Sequence, residues 1–385
     1  MFLGHWTLST FQLTHTFATT TTSLAIFLVA GGVSCRSVIP VAYQVEPIPP
    51  VVDCPGKVDV PCPEADQVTV TYLGVSGFVV RYRGKSLLTA PSFSNPSLDS
   101  VTPSRFRFFR GDAPDVVSDS ALIERLLPPE ADNASMILVG HGHYDHLLDV
   151  PYIATHRALR ARIYGGPSVR HMLMGDPVLR STPSRLEAID TSSAGVVGRM
   201  GRWYFSSDST FRIMALDADH APTVHAFRWG YIFANSTVDH DLDRLPQKAE
   251  DWKIGEPYAF IIDVLATGDT TPKFRIYYQD APNTPPLGFP PAMLAGRGFD
   301  LAILCVATAL NVRPPSPDSL LRVLRPRFVI ASHWESFFRP QTLPLVMNPA
   351  SDVDAFFNSL TRNLPVQSRW AMPLPRTTIH FATSQ

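Results

Sequence analysis

The chain has 385 residues, and its apolar fraction of 45% is enough to build a sizeable hydrophobic core. Its formal net charge of −1 excludes a general electrostatic attraction to nucleic acid or to anionic membranes. Thirty-six prolines favour long irregular loops between the regular elements. We therefore expect a globular protein that does not bind nucleic acid.

The first 66 residues divide into two predicted segments. Leu24 to Val33 form an apolar run that is too short to span a bilayer and has the length of a signal-peptide core. Ser34 and Cys35 follow as in a lipoprotein leader, so residues 1–35 predict export and Cys35 is a candidate membrane tether. The stretch before the run has no Lys or Arg, which departs from a normal signal peptide and leaves a cytoplasmic location open. Residues 36–66 predict an extended linker.

The cysteines add two expectations. Cys54 and Cys62 bracket the turn pair Pro55-Gly56, so they form either a small disulfide loop in an oxidising compartment or two free thiols. Cys305 lies in an apolar strand-like run and is predicted to be a core residue.

From residue 67 onward, short β-rich runs alternate with helical patterns, and we predict one folded domain over residues 67–385. The predicted strands are 68–73, 77–83, 86–89, 136–139, 162–164, 202–205, 211–216, 226–233, 259–265, 275–279, 301–306, 328–331 and 378–381. The predicted helices are 118–127, 150–160, 167–174, 318–324 and 353–360. Two sheets covered by outer helices fit this α/β order. Residues 234–258 are polar and predict either a lid or an ordinary loop.

A dense cluster of possible metal ligands follows the predicted strand that ends at Val139. It comprises His141, His143, Asp145 and His146, within the run His-Gly-His-Tyr-Asp-His. Side chains this close in sequence converge only if the backbone turns sharply, which the neighbouring glycines allow. Three imidazoles and a carboxylate suit zinc or another borderline divalent metal.

This run resembles the HxHxDH signature of the metallo-β-lactamase superfamily. The chain from about Val68 to Phe381 resembles the branch of that family that includes ascorbate phosphate lactonase and N-acylphosphatidylethanolamine phospholipase D. The glycine-containing turn in Tyr72-Leu-Gly-Val-Ser-Gly77 is similar to the one that opens the domain in that branch. The resemblance implies a four-layer αββα sandwich.

The resemblance also implies three further ligands, each at the end of an apolar strand: His220, Asp280 and His333. By this resemblance, His141, His143 and His220 hold one divalent ion, and Asp145, His146 and His333 hold a second. Asp280 bridges the two ions, which are zinc, manganese or iron. Asp145 is in addition the catalytic residue that orients the nucleophile and relays its proton.

One position departs from the family pattern. The strand after the opening hairpin usually ends in an aspartate in the family, whereas this chain has Ala90. That aspartate normally supports the ligands and does not bind metal itself. Its replacement by alanine leaves open which group holds the ligands in place.

Three neighbouring features are less specific. His225 is a candidate substrate-binding residue because it follows His220 by five positions, although it could equally be an exposed histidine. Glu335 could support the ligand His333. The run Ser104 to Arg110 mixes arginine with aromatic residues. It either binds a phosphate group or an acyl chain, or it is an ordinary amphipathic edge.

The resulting functional prediction is a dinuclear metal-dependent hydrolase. Its substrate is an ester, lactone or phosphodiester, including lipid-like ones. The alternative is a non-catalytic, membrane-tethered binding or scaffold protein that retains the fold. The pocket walls come from loops that sequence patterns do not define, so the substrate stays open.

Overall fold

The computed structural model describes residues 67–104, 107, 111–221, 236–266, 268–294, 296–312, 315–348 and 351–383. The predicted leader and linker, with Cys35, Cys54 and Cys62, lie outside these ranges, as do the predicted strand 226–233 and His225.

In the described residues the chain forms fourteen strands in two sheets. The strands are β1 (Gln67–Gly74), β2 (Gly77–Tyr82), β3 (Lys85–Thr89), β4 (Ala134–Leu138), β5 (Arg162–Gly165), β6 (Leu186–Ala188), β7 (Tyr204–Phe205), β8 (Phe211–Asp217), β9 (Tyr258–Leu265), β10 (Pro272–Tyr278), β11 (Leu301–Cys305), β12 (Phe328–Ser332), β13 (Arg369–Ala371) and β14 (Thr378–Ala382). The first sheet has the order β14-β1-β2-β3-β4-β5-β6 and the second the order β13-β12-β11-β10-β9-β8-β7.

The helices lie between these strands along the chain. In the described part they are α1 (Leu98–Val101), α2 (Ser120–Leu126), α3 (Tyr144–Leu147), α4 (Val150–His156), α5 (Pro167–Leu173), α6 (Pro177–Ser181), α7 (Asp318–Leu324) and α8 (Val353–Asn363). Polar side chains start several of them: the Asp119 carboxylate accepts from Leu122 N, and the Asp352 carboxylate from Ala355 N.

Side-chain alternation on the first sheet builds two separate cores. On β4, Met136 and Leu138 belong to the core between the two sheets, whereas Ile137 belongs to the core beneath the helices. Successive side chains of a strand point to opposite faces, so one strand serves both cores. Ile153 of α4 and Leu173 of α5 complete the second of these cores.

The second sheet is buried on both faces. Every residue of β9 and of β11 is buried, as expected for strands covered on both sides. Leu321 of α7 and Phe356 of α8 pack into the same core as these strands. The order of layers is therefore helices, sheet, sheet, helices, which confirms the predicted four-layer α/β sandwich.

Several predicted elements differ in extent from the structure. The helix predicted to reach residue 160 ends at His156, where the Arg185 guanidinium donates to the carbonyl oxygens of Ala154 and Ala158. The strand predicted at 202–205 is reduced to the two residues of β7. Residues 236–257 form irregular chain apart from a short 3₁₀ turn at Ala249–Asp251.

Candidate metal centre

The candidate ligands follow the carboxyl ends of four strands, one in the first sheet and three in the second. β4 leads to His141, β8 to His220, β10 to Asp280 and β12 to His333. β10, β11 and β12 are parallel, and β8 has the same direction as β10 because both pair antiparallel with β9. The three strand ends of the second sheet therefore meet at one edge.

The local chain path after β4 brings four ligands together within six residues. His141 and His143 lie in the extended segment before α3, and Asp145 and His146 lie within that helix. The amide of His146 donates to the His143 carbonyl at 3.0 Å, so the turn is tight. Asp145 and the three histidines are buried.

Asp280 reaches this segment from the second sheet through a gap left by Gly140. Its Oδ2 accepts from Gly140 N at 2.9 Å, and its Oδ1 lies 3.1 Å from His141 Nδ1. A Cβ on Gly140 would stand 2.3 Å from both carboxylate oxygens. Only glycine at position 140 allows this approach.

His220 lies beside the first two histidines. Its ring centroid is 4.8 Å from that of His141 and 5.2 Å from that of His143. Its Nδ1 is 2.7 Å from the Ala221 carbonyl oxygen, which sets the tautomer with Nδ1 protonated and leaves Nε2 as the ligand atom.

The loop that carries His220 is tied to the loop that carries Asp280. Asp219 N donates to Asn283 Oδ1 at 3.2 Å, and Thr284 N donates to Asp219 Oδ1 at 2.6 Å. Ala221 N also donates to the Pro282 carbonyl at 2.9 Å. These bonds fix the distance between the two ligands.

His333 completes the site beside Asp145 and His146. Its Nε2 lies 3.3 Å from Asp145 Oδ2, and His146 Nε2 lies 3.4 Å from the same oxygen. His333 has a φ of +57°, a left-handed conformation that is uncommon for a residue other than glycine.

The ligand atoms fall into three groups, each with its atoms within 4.8 Å of one another: His141 with His143 and His220; Asp145 with His146 and His333; and His141 with His146 and Asp280. The first two groups coincide with the two ligand sets implied by the family resemblance. The third takes one histidine from each set, and Asp280 directs Oδ1 toward His141 and Oδ2 toward His146, at 3.1 and 3.7 Å.

Burial decides the charge of most of these groups. It lowers the pKa of His141, His143 and His220, so these imidazoles are neutral at neutral pH, as metal ligands must be. Burial also raises the pKa of the Asp280 carboxyl.

Charge pairing reverses the effect of burial at two neighbouring groups. Burial alone would raise the pKa of Asp145, but the charges and hydrogen bonds of His146 and His333 hold it well below its usual range. For His146 burial acts to lower the pKa, and the charges of Asp145 and Asp280 outweigh it and raise it. Asp145 is therefore ionised at neutral pH.

These residues fit one or two divalent metal ions. Within the described chain, His141 Nε2 is buried without a hydrogen-bond partner. A buried polar atom left unpaired is rare in proteins, and an ion bound beside it would satisfy it. A mixed set of imidazoles and carboxylates is the donor set of zinc, manganese and non-haem iron sites.

The structure brings together all seven residues that the sequence and the resemblance singled out as ligands. His225 lies outside the described residues, and so do most residues of the run from Ser104 to Arg110. Within that run, Arg107 is buried and pairs with Asp99 at 3.2 Å, which is a structural contact.

The Ala90 position lacks any polar side chain to support the ligands. Ala90 is fully buried, has a φ of +26°, and donates its backbone N–H to the Leu138 carbonyl. Two other buried carboxylates brace the surroundings. Asp149 accepts from Phe93 N at 2.6 Å, and Glu335 accepts from Val75 N at 2.6 Å. Asp149 was not singled out from the sequence, because an aspartate beside a metal motif has no pattern of its own.

None of the helices in the described residues combines the length and the apolar composition required to cross a membrane.

No family model matches the chain, and no curated protein matches it. Solved structures that resemble it include Igni18 from Ignicoccus hospitalis, described as a novel metallo hydrolase, with 14% identity and a TM-score of 0.43 over 82% of this chain and 98% of that one. YhfI from Bacillus subtilis, described as a metallo-β-lactamase fold protein, has 12% identity and a TM-score of 0.41 over 82% and 99%. CmlA from Streptomyces venezuelae, described as a diiron β-hydroxylase, has 12% identity and a TM-score of 0.43 over 84% of this chain and 55% of that one.

These similarities are distant and do not decide the chemistry, since they include both a hydrolase and a hydroxylase. The branch with ascorbate phosphate lactonase stays a prediction. The function of this chain is therefore inferred from the residues of its site.

Proposed function

We propose that this protein is a metal-dependent hydrolase of the metallo-β-lactamase type with a two-metal site. The observation that carries the proposal is the division of the ligand atoms into two compact triads, with Asp280 facing a histidine of each. His141, His143 and His220 would hold one ion, and Asp145, His146 and His333 the other. Zinc is the first candidate, with manganese and iron as alternatives.

Two divalent ions held by these residues would supply Lewis acidity and would lower the pKa of a water molecule toward neutrality. The protein's own part is to place and charge the groups around that water. Asp145 is ionised, so its carboxylate is able to orient the attacking water. Its role in relaying the proton of that water is the one implied by the family resemblance. The Ala221 carbonyl and the Asp219–Asn283 contacts keep His220 in place.

The proposed substrates are esters, lactones and phosphodiesters, including lipid-like ones. The same site can serve carbonyl and phosphoryl centres, since both develop negative charge on oxygen during attack by water. Export and a membrane tether through Cys35 belong to the proposal. The mass of the N-terminal peptide of the mature protein tests them, because lipidation requires Cys35 to be the first residue.

A substrate screen tests the hydrolase. The purified protein is loaded separately with zinc, manganese or iron and assayed on bis-aryl phosphodiesters, lactones, phospholipids and β-lactams. We expect turnover of at least one class, and a loss of about 10²-fold or more in kcat on Asp145→Asn, since a general base contributes a factor of this size.

The matched control is Asp241→Asn. Asp241 is a surface carboxylate that also pairs with a histidine, His171, at 2.6 Å. We expect this variant to keep full activity. Metal uptake without turnover in any class would favour the alternative, a binding or scaffold protein.

A further inference from the structure

Two strained residues lie next to each other behind the second ligand triad. Val75 has a φ of +55° and His333 a φ of +57°. The left-handed region is unfavourable for residues with a Cβ and most unfavourable for a β-branched residue such as valine. Such conformations cost about 1–3 kcal/mol each, and they persist where the surrounding structure holds them.

Tyr72 and Glu335 connect these two residues. His333 N donates to the Tyr72 hydroxyl oxygen at 3.1 Å, and the hydroxyl lies 2.6 Å from Glu335 Oε2. Val75 N donates to Glu335 Oε1 at 2.6 Å. The hydroxyl has one proton, and its shortest contact identifies the carboxylate as the acceptor. The chain of bonds therefore runs from His333 through Tyr72 to Glu335 and Val75.

The surroundings of this chain of bonds are closely packed. Tyr72 and Glu335 are each only 1% exposed. Gly74, with a φ of +105°, leaves room for Gln341 and Glu335, since a Cβ there would lie 2.3 Å from Gln341 Nε2 and 3.1 Å from Glu335 Oε1. Gln341 Nε2 in turn donates to the Leu73 carbonyl at 2.8 Å. A hydrogen bond in such a buried setting is electrostatically stronger than one in water.

We propose that Tyr72 and Glu335 are a positioning pair for the second metal ion. They hold the backbone of His333 in its left-handed conformation and so direct its imidazole toward Asp145 and His146. Neither residue belongs to a ligand group, so both act through His333. The inference rests on the proposed two-metal function and predicts that loss of the pair affects the two ion sites differently. Loss of the pair weakens the Asp145–His146–His333 triad and leaves the His141–His143–His220 triad unchanged.

The test is a metal titration of Tyr72→Phe, which removes only the hydroxyl. Metal-free protein is titrated with Zn²⁺ by calorimetry and with Co²⁺ by visible absorption, so that neither readout depends on activity. We expect the wild type to bind two ions in two steps. In Tyr72→Phe we expect one step to weaken 10- to 100-fold, the usual cost of losing a group that supports a ligand, and the other to keep its affinity.

Two further variants identify the second binding step and provide a control. His333→Ala identifies the second step, because it removes that step altogether. Tyr258→Phe is the matched control: Tyr258 is also buried, and its hydroxyl donates to the Ile189 carbonyl at 2.9 Å instead of to the backbone of a ligand. It should bind both ions with wild-type affinity.

Glu335 provides an independent check if Tyr72→Phe fails to fold. Glu335→Ala removes both acceptor oxygens and should weaken the second step, whereas Glu335→Gln keeps one acceptor oxygen and should restore part of the affinity. The inference is overturned if Tyr72→Phe and Glu335→Ala both bind two ions with wild-type affinity, or if both steps weaken equally. A wild type that takes up fewer than two ions contradicts the proposed function, and the inference falls with it.

Discussion

Gly140 lies where Asp280, from the second sheet, reaches the ligand segment that follows β4. Its amide holds Asp280 Oδ2, and its missing side chain is what leaves space for that carboxylate. A left-handed backbone conformation is not the reason for glycine here, since the φ of Gly140 is outside the positive region. The requirement is purely one of space.

Gly140→Ala should therefore damage the site directly. The added methyl group displaces the Asp280 carboxylate, and we expect a loss of about 1–3 kcal/mol in the free energy of unfolding, as for other overpacked cores. Metal uptake should fall as well. Denaturant unfolding and metal analysis measure the two effects. Gly198→Ala is the control, because a Cβ at that position meets nothing within 4 Å. Equal stability of the two variants would contradict this account of Gly140.

Single residues were predictable from the sequence only where they are close together along the chain. His141, His143, Asp145 and His146 form a visible cluster. His220, Asp280 and His333 required the resemblance, since one histidine or aspartate at a strand end is not distinctive. The hydrogen bond between Tyr72 and Glu335 joins residues 263 positions apart and leaves no local pattern.

At the scale of elements, the second sheet contains a row of three charged side chains on adjacent strands, two of them buried and one partly buried. Asp263 of β9 lies between Arg212 of β8 and Arg275 of β10 in the strand register. Arg275 donates to Asp263 Oδ1 at 2.7 Å, and Arg212 donates to Asp263 Oδ2 at 2.9 Å. Asp263 is fully buried, and Arg275 is 1% exposed. This row lies within strands and includes no candidate ligand, so its role is to hold the sheet together.

Asp263→Asn tests this structural role. The variant leaves two cationic side chains without their buried counter-charge, and breaking a buried pair typically costs about 3–5 kcal/mol. Chemical denaturation measures the change. Glu187→Gln, which breaks the partly exposed pair with Arg162, should cost no more than about 1 kcal/mol. A similar small effect for both variants would show that the buried row contributes little.

Most strands were predictable because a run of apolar residues marks them. β9 and β12 are buried throughout, and the sequence places both within one or two residues of their observed bounds. β6 and β13 were missed because each has three residues, of which one is buried, and no alternation can be recognised over so short a stretch. The pairing of β14 with β1 joins the two ends of the domain and is a tertiary contact without a sequence signal.

At the scale of the whole molecule, the metal site connects the two sheets. One strand of the first sheet and three of the second contribute ligands. Bound ions would therefore link the two halves of the sandwich, and their binding free energy would add to the stability of the fold.

Removal of metal should lower the melting temperature. At a free metal concentration of about 100 times Kd, each site stabilises the native state by about 2.7 kcal/mol. For two sites in a large domain, the difference between metal-loaded and chelator-treated protein is on the order of 10 °C. Calorimetry measures it. His333→Ala should show roughly half the effect, and the same melting temperature with and without chelator would contradict a link between the sheets.

The order of the apolar runs predicted the overall architecture. It did not predict the substrate, because the residues that would line the substrate pocket lie in loops without periodicity.

The most direct test of the central claim is the anomalous scattering of a crystal grown with zinc. We expect two peaks, one among His141, His143 and His220 and one among Asp145, His146 and His333, with the Asp280 carboxylate between them. A single peak, or none at these side chains, would contradict the two-metal site.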